Sequence, residues 1–358
     1  MQAILRLILT LAGFFVLDAA VFRSGFYLQF LNPDSVTGQF ERILMVERDR
    51  RIGHPNQVVG IGNSRMALMP SVANDPTQET GYAYATLAVP GTPARVWYYM
   101  LRDADPDANR YSAVVVALDN YNDDETWEDH PDRAYDTRIL AARLRLTDLV
   151  EYPGSFRSWD TRWDASRSIL FRSSEFGRDV RDLLLDPRAR LAAAKESREK
   201  SAVWLYGYGG STATMEDAHI DWQNRIIDAP GRTPAQLAAY EAAFFRPNPP
   251  NTGIHSKYMH YWLGRIHQHY KGSRTRLIFV RLPRGPWVRP DFPPTNPTSS
   301  VRELASGPGV TLIDEHYFDP LERPELFADE MHLNHAGMDQ FTRMLSREVG
   351  RIMGPPKQ

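Results

Sequence analysis

The chain has 358 residues, no cysteine, and 42 basic against 44 acidic side chains, a formal net charge of −2. Without cysteine there are no disulfides, thiolate zinc sites, iron–sulfur clusters or thiol nucleophiles, and without a basic excess a general nucleic-acid surface is not expected. At 42% hydrophobic and 24% charged residues, the composition is neither that of a disordered chain nor that of a many-span membrane protein.

The amino terminus departs from this average. Leu7–Leu17 (LILTLAGFFVL) carries no charge, with Arg6 before it and Asp18 after it. Ala3–Phe22 is about one bilayer-spanning helix in length, and Arg6 can reach back to the headgroups. Residues 1–30 therefore read as a membrane anchor or an uncleaved signal. A cleavable signal wants small residues at −3 and −1, and the adjacent Ala19 and Ala20 fit that poorly. Asp18 inside the apolar run leaves open a helix packed on the protein.

After a linker-like stretch at Asn32–Thr37, a βα alternation begins. Gln57–Gly62 (QVVGIG) reads as a buried parallel strand, followed by a turn at Asn63–Arg65. Tyr82–Val89 is a second strand, closed by Pro90 and Gly91. Thr92 is the expected N-cap of a helix over Pro93–Asp103. Ala113–Leu118 (AVVVAL) is the strongest strand pattern. An acid-rich stretch follows to Asp132, and 137–250 reads mainly as helices, among them Arg138–Val150 and Asp179–Lys200. His255–Tyr270 has helical period, Arg276–Leu282 and Val310–Asp314 read as strands with a Pro-rich loop at 290–297 between them, and Asn334 caps a closing helix, His335–Met353. Five strands alternating with helices give an α/β domain with a mainly parallel sheet flanked by helices, spanning 31–355 with a largely helical insertion at about 133–250.

Ligands of such sheets bind beyond the carboxyl ends of the strands. Ser64 stands there, two residues after Gly62 in GIGNSRM, where the following helix would offer N–H groups to an oxyanion. In FADEMHLNHAG, Asp329 and His332 lie three apart just ahead of the last helix. A serine needs a base to take its proton, and a histidine base works best with its tautomer fixed by a carboxylate. The bland alternatives are a serine that caps a helix, a capping aspartate and a surface histidine.

Other features read as ordinary structure. The acidic Asp119–Asp132 stretch lacks the spacing and glycine of a calcium loop. His255, His260, His267 and His269 share a helix without a carboxylate as third ligand. Gly207–Ser211 (GYGGS) lacks the lysine of a phosphate loop and reads as a flexible loop. Trp97, Tyr98 and Tyr99 read as helix core, and Arg138–Arg145 with Trp159, Trp163 and Phe171 as a solvated face, a membrane-surface contact being the alternative.

A first-strand Gly-x-Ser turn with Asp-x-x-His before the last helix resembles the SGNH (GDSL-type) hydrolase superfamily, whose flavodoxin-like fold the strand pattern would match. Gly62-Asn63-Ser64-Arg65 stands where the family usually has Gly-Asp-Ser, Gly91 matches its second block, and Asn120 or Asn122 its third, where a glycine is expected at Asp119 or Asn120. The resemblance covers about 56–122 and 255–350. It implies Ser64 as nucleophile, His332 as base and Asp329 as its orienting acid. The oxyanion hole would comprise the N–H groups of Ser64 and Gly91 with the amide of Asn120 or Asn122. No cofactor or metal is implied. An anchored member of this superfamily would be a serine esterase or O-acyltransferase held on the bacterial inner membrane, its catalytic domain periplasmic or extracellular. It would act on an acylated carbohydrate or cell-envelope polymer beside a membrane-bound acyltransferase. The alternative is a non-catalytic partner that keeps the fold and binds a polysaccharide or an acyltransferase.

Overall fold

The computed structural model describes residues 2–50, 56–66, 68–75, 80–123, 131–247, 252–290 and 295–356. The chain folds as two compact units, one of residues 1–49 and 130–204, the other of 50–129 and 205–358. The segment read as a single insertion is thus divided between them.

The second unit is mixed α/β. Its sheet contains β1 (Gln57–Ile61), β2 (Ala83–Thr86), β3 (Ala113–Leu118), β6 (Arg276–Arg281) and β7 (Val310–Leu312), in the order β2-β1-β3-β6-β7. All four pairings are parallel. Every residue of β1 and of β3 is buried, which is why these strands are unbroken apolar runs rather than alternating ones. Val58, Val115, Ile278 and Val280 pack on Phe341, Leu345 and Val349 of the closing helix His335–Met353. Against another part of this unit the helix Ala94–Ala104 meets Ile254–Tyr270, with Tyr98 and Tyr99 5.6 and 5.7 Å from the Trp262 ring. The aromatic trio Trp97–Tyr99 is core, as expected.

Two further strands, β4 (His219–Asp221) and β5 (Ile226–Asp228), form a small antiparallel hairpin in a stretch read mainly as helices. The helix after β2 is not capped by Thr92. Pro93 is its N-cap, and the Thr92 hydroxyl is spent instead on the carbonyls of Val89 (2.7 Å) and Gly62 (3.2 Å).

The first unit is built on the N-terminal segment. Gln2–Arg23 is a helical run of 22 residues with mean hydropathy 2.1, long and apolar enough to cross a membrane and only 6% buried. Asn32–Thr37 is no linker: the Ser35 hydroxyl accepts the Gly38 N–H at 3.0 Å and opens the helix Val36–Asp49. Arg138–Val150 is not one helix but Tyr135–Leu140 and a short 3-10 turn, Leu146–Asp148. Asp179–Lys200 is likewise two helices, Ser173–Leu185 and Pro187–Tyr206, because proline cannot continue the first.

Asp18, the charge inside the apolar run, is buried and accepts the N–H groups of Arg172 (3.1 Å) and Ser173 (2.8 Å) at the start of Ser173–Leu185. Arg23 donates to the carbonyls of Ile169 and Leu170 at the end of the helix Trp159–Leu170. A carboxylate thus meets one helix's amino end and a guanidinium another's carboxyl end, both with the favourable sign for the helix dipole.

Two glycines test the packing account. A Cβ at Gly62 would lie 2.8 Å from Met66 Cβ and 3.0 Å from Ala117 Cβ, whereas one at helical Gly264 meets nothing within 4 Å. Gly62→Ala is expected to destabilise by about 1–3 kcal/mol, and Gly264→Ala to stabilise by up to about 1 kcal/mol. Thermal melts followed by circular dichroism measure both, and unchanged melting of Gly62→Ala would contradict the crowding.

Candidate active site

The sheet order reverses between β1 and β3, since the chain leaves β1 outward to β2 and then crosses back to β3. That point is where open parallel sheets leave a crevice at their carboxyl ends. Ser64 lies in the turn that follows β1. The Asn63 carbonyl accepts the Met66 N–H at 3.1 Å and the Asn63 side chain accepts the Arg65 N–H at 2.9 Å, an Asx turn that asparagine makes as well as aspartate. The expected helix amino end beside Ser64 is not there. The next helix is the four-residue Pro70–Ala73, so the turn's own backbone, not a helix terminus, surrounds the hydroxyl.

Arg65 fixes this turn to two other strand ends. It donates to Asp119 after β3 at 2.7 Å, and to the carbonyl of Pro283 after β6. The loop after β2 is tied to the same place: Val89 N–H donates to the Gly62 carbonyl at 3.1 Å, beside the Thr92 hydroxyl. Gly91 follows with φ +64°, a left-handed conformation that favours glycine.

The C-terminal contribution is equally constrained. Ala328 N–H donates to the His332 carbonyl at 2.8 Å, Phe327 and Leu333 form an antiparallel bridge, and Asn334 N–H donates to Leu326 at 2.9 Å. Asp329 and His332 sit at the tip of this narrow hairpin. As expected, Asn334 caps the closing helix, its side-chain oxygen accepting the Gly337 N–H at 3.0 Å. At the end of β6 the buried Arg281 pairs with Glu322 at 2.8 Å and with Asp319, fixing the segment that leads into the hairpin.

These elements bring Ser64, His332 and Asp329 together. Ser64 Oγ is 2.8 Å from His332 Nε2, across 268 positions of sequence. His332 Nδ1 is 3.0 and 2.9 Å from the two Asp329 oxygens. A carboxylate can only accept here, so Nδ1 carries the ring proton and Nε2 presents its lone pair to the serine hydroxyl. Asp329 also accepts the N–H groups of Met331 (3.0 Å) and His332 (2.7 Å). Burial opposes its charge most strongly, yet the His332 ring and the two backbone donors together hold its carboxyl below the usual value. The His332 and Asp329 side chains are each 36% exposed, so the pair is open to solvent.

The two candidate asparagines are placed differently. Asn122 is buried, its side-chain oxygen accepting the Asn296 N–H at 2.9 Å. Asn120 uses its oxygen on the Asn122 N–H at 2.8 Å and lines a small cleft with Asn63, Trp97 and Met259, at the ends of β1 and β3. Tyr121, between them, is buried with its hydroxyl 3.0 Å from the Phe279 and Ile313 carbonyls.

The part played by residues 205–247 was almost invisible in the residue order. Gly209 and Ser211, read as a flexible loop, accept from His335 Nδ1 and the His335 N–H, both at 2.7 Å. Met215 N–H donates to Phe327 at 3.0 Å. Tyr240, on the helix Pro234–Phe245, has its phenol raised by burial, with Glu330 and Asp329 adding to the rise and Arg232 opposing it. The glycines of GYGGS were the one available signal: Gly210 has φ +73° and a Cβ there would strike Met338.

Of the acid-rich stretch, 124–130 lies outside the described residues, as does 291–294 of the Pro-rich loop. Asp123 is buried and accepts the Ser300 N–H (2.6 Å) and hydroxyl (2.7 Å). Among the four helix histidines, His255 is buried, His260 lies 3.4 Å from Glu303, and His269 bonds the Asp105 carbonyl. Among the described residues no cluster of three or more His, Asp or Glu side chains could hold a metal ion. No protein-family model matches the chain, and no curated protein sequence matches it.

The lowered Asp329 carboxyl makes a signed prediction. A folded-state value below the unfolded one stabilises the fold above the unfolded value, and that contribution disappears as the pH falls through the folded one. Denaturant midpoints of the wild type and Asp329→Asn should therefore differ near about pH 7 and converge as the pH falls through and below the ordinary carboxylate range. A pH-independent difference would contradict the assignment.

Proposed function

We propose that the protein is a serine esterase or O-acyltransferase of the SGNH type. The observation that carries this reading is the unbroken relay from Ser64 Oγ through the His332 ring to Asp329, at the carboxyl ends of a sheet whose 2-1-3 strand order is flavodoxin-like.

In the proposed reaction Ser64 Oγ attacks the ester carbonyl while its proton passes to His332 Nε2. Asp329 stabilises the imidazolium that results. The carbonyl oxygen becomes an oxyanion, to be held by the N–H groups of Ser64 and Gly91 and by the amide of Asn120, the asparagine that lines the cleft. Collapse expels the alcohol, which takes the proton from His332, and leaves an acyl-serine. Water or an acceptor hydroxyl then attacks the acyl carbon, giving its proton to His332, and Ser64 recovers that proton on leaving. Hydrolysis and transfer differ only in which nucleophile reaches the acyl-enzyme. The apolar Gln2–Arg23 run supports an anchored enzyme. The reading extends to a periplasmic or extracellular catalytic unit on the bacterial inner membrane. Its substrate would be an acylated carbohydrate or envelope polymer, and its partner a membrane-bound acyltransferase.

Turnover of an aryl acetate by the full chain in neutral detergent tests the chemistry. Ser64→Ala and His332→Ala are each expected to lower kcat/KM by roughly 10⁴-fold or to background, and Ser64→Ala to abolish labelling by an aryl phosphonate. A folded wild type that neither turns over ester nor takes the phosphonate would overturn the reading in favour of a non-catalytic binding partner.

The asparagines give a separate test. Asn120→Ala should lower kcat by about 10²–10³-fold with little change in KM, while Asn122→Ala should show chiefly as a lower melting temperature. The reverse pattern would move the oxyanion assignment to Asn122.

A further inference from the structure

The unit of residues 1–49 and 130–204 contains a cleft of about 260 Å³ that the serine chemistry does not use. Leu28, Leu31 and Met45 form an apolar wall, and Arg42, Arg48 and Arg198 line the rest. A fourth arginine, Arg143, is occupied by Glu41, with Nε to Oε1 at 2.7 Å. Asp49 is the one other carboxylate in the lining.

Among the described residues none of those three arginines forms an ion pair. Arg42 stacks on Trp204, 4.4 Å from the ring centre, and donates to Ser197 at 3.3 Å, while its buried Nε has no partner. Arg198 reaches only the carbonyls of Ala194 and Gln29, both at 3.4 Å, the outer limit for a hydrogen bond. Arg48 is exposed. Burial pulls the Arg42 guanidinium below its ordinary value, with Asp34 offsetting part of the loss. Three cations line one cleft with one opposing carboxylate; Arg48 and Arg198 are exposed, and a bound anion would restore what burial costs Arg42.

We propose that this cleft binds the phosphate of an anionic amphiphile, with the guanidinium groups on the phosphate oxygens and the Leu28–Leu31–Met45 wall on its apolar part. Planar guanidinium donors match phosphate oxygens in pairs, and an apolar wall of this kind has no counterpart in a free inorganic ion. The wall also points to the source. Leu28 belongs to the 3-10 turn Phe26–Phe30, which begins three residues after the apolar run ends at Arg23. A phospholipid headgroup is therefore the ligand nearest to hand. That choice of source rests on the membrane reading; phosphate binding does not, and neither depends on Ser64.

The test is isothermal titration of the full chain in neutral detergent with three probes: dihexanoyl phosphatidylglycerol, glycerol 3-phosphate and inorganic phosphate. One site per chain is expected for the lipid, weakened about tenfold or more by Arg48→Ala and by Arg42→Gln, and unchanged by Ser64→Ala. Arg48 is exposed and makes no side-chain hydrogen bond or ion pair among the described residues, so Arg48→Ala keeps the test valid if Arg42→Gln disturbs the packing on Trp204. Lipid binding at least about tenfold tighter than glycerol 3-phosphate supports a headgroup site, and equal affinities support the same site filled by a soluble phosphate ester. Absence of saturable binding by all three probes, or binding that both arginine variants leave unchanged, overturns the proposal.

Discussion

Much of the sheet unit depends on the room left above β1 by two missing side chains. Met66 folds back over the strand it follows, and its side chain occupies the space that a Cβ on Gly60 or Gly62 would need. Gly62 is the stricter of the two, because a Cβ there meets the Cβ atoms of Met66 and Ala117, whereas at Gly60 only the movable end of Met66 stands in the way. The Asn63 side chain and carbonyl close the turn, and Arg65 ties it to the ends of β3 and β6. Ser64 is thus held by its neighbours on both sides, with little left for its own hydroxyl to do in placing it.

His332 is held on a separate footing. The hairpin of residues 326–334 would fix its backbone without any serine present, and Asp329 orients its ring from within the same turn. The 2.8 Å contact between Oγ and Nε2 therefore joins two pieces that are each rigid in their own right. That is the preorganisation a proton relay needs, because the geometry is in place before any substrate arrives. Asp329 accepts two backbone N–H groups as well as the His332 ring, so its own turn sets its position.

Much of this unit was legible from residue order. All five strands of the parallel sheet were visible, the central ones most clearly, because a strand buried on both faces reads as an apolar run, as in AVVVAL and RLIFVRL. Ser64 could be singled out because strand ends are where such a sheet leaves its crevice, and Asp329 with His332 because a carboxylate three residues before a histidine can orient its ring; the structure brings the three within hydrogen-bonding distance. Several expectations failed where distant partners or short elements decide the outcome. Thr92 looks like a cap locally, but the Gly62 and Val89 carbonyls take its hydroxyl. Asn120 and Asn122 are the same residue type two apart, and only the burial of Tyr121 between them and the reach of Asn296 separate their surroundings. The β4–β5 hairpin has strands of only three residues, too short for any periodicity to register. The partition of the middle segment between two units reflects long-range contacts such as those of Asp18, which caps a helix more than 150 positions away.

That role of Asp18 bears on how the chain could be shortened. An apolar leader is ordinarily treated as a detachable tail, removed at the first polar residues beyond it. Here the seam lies elsewhere. Asp18 and Arg23 each serve the end of a helix in residues 159–185, and Phe22 stacks on Phe176 at 5.4 Å. Tyr27 donates to Asp179 at 2.5 Å. A version cut after Arg23 or at residue 30 would strip a helix of its cap and a small aromatic core of one wall, leaving apolar surface of the unit's own making exposed. A cut just ahead of Asp18 would shed the exposed leucines and isoleucines and keep the clasp intact.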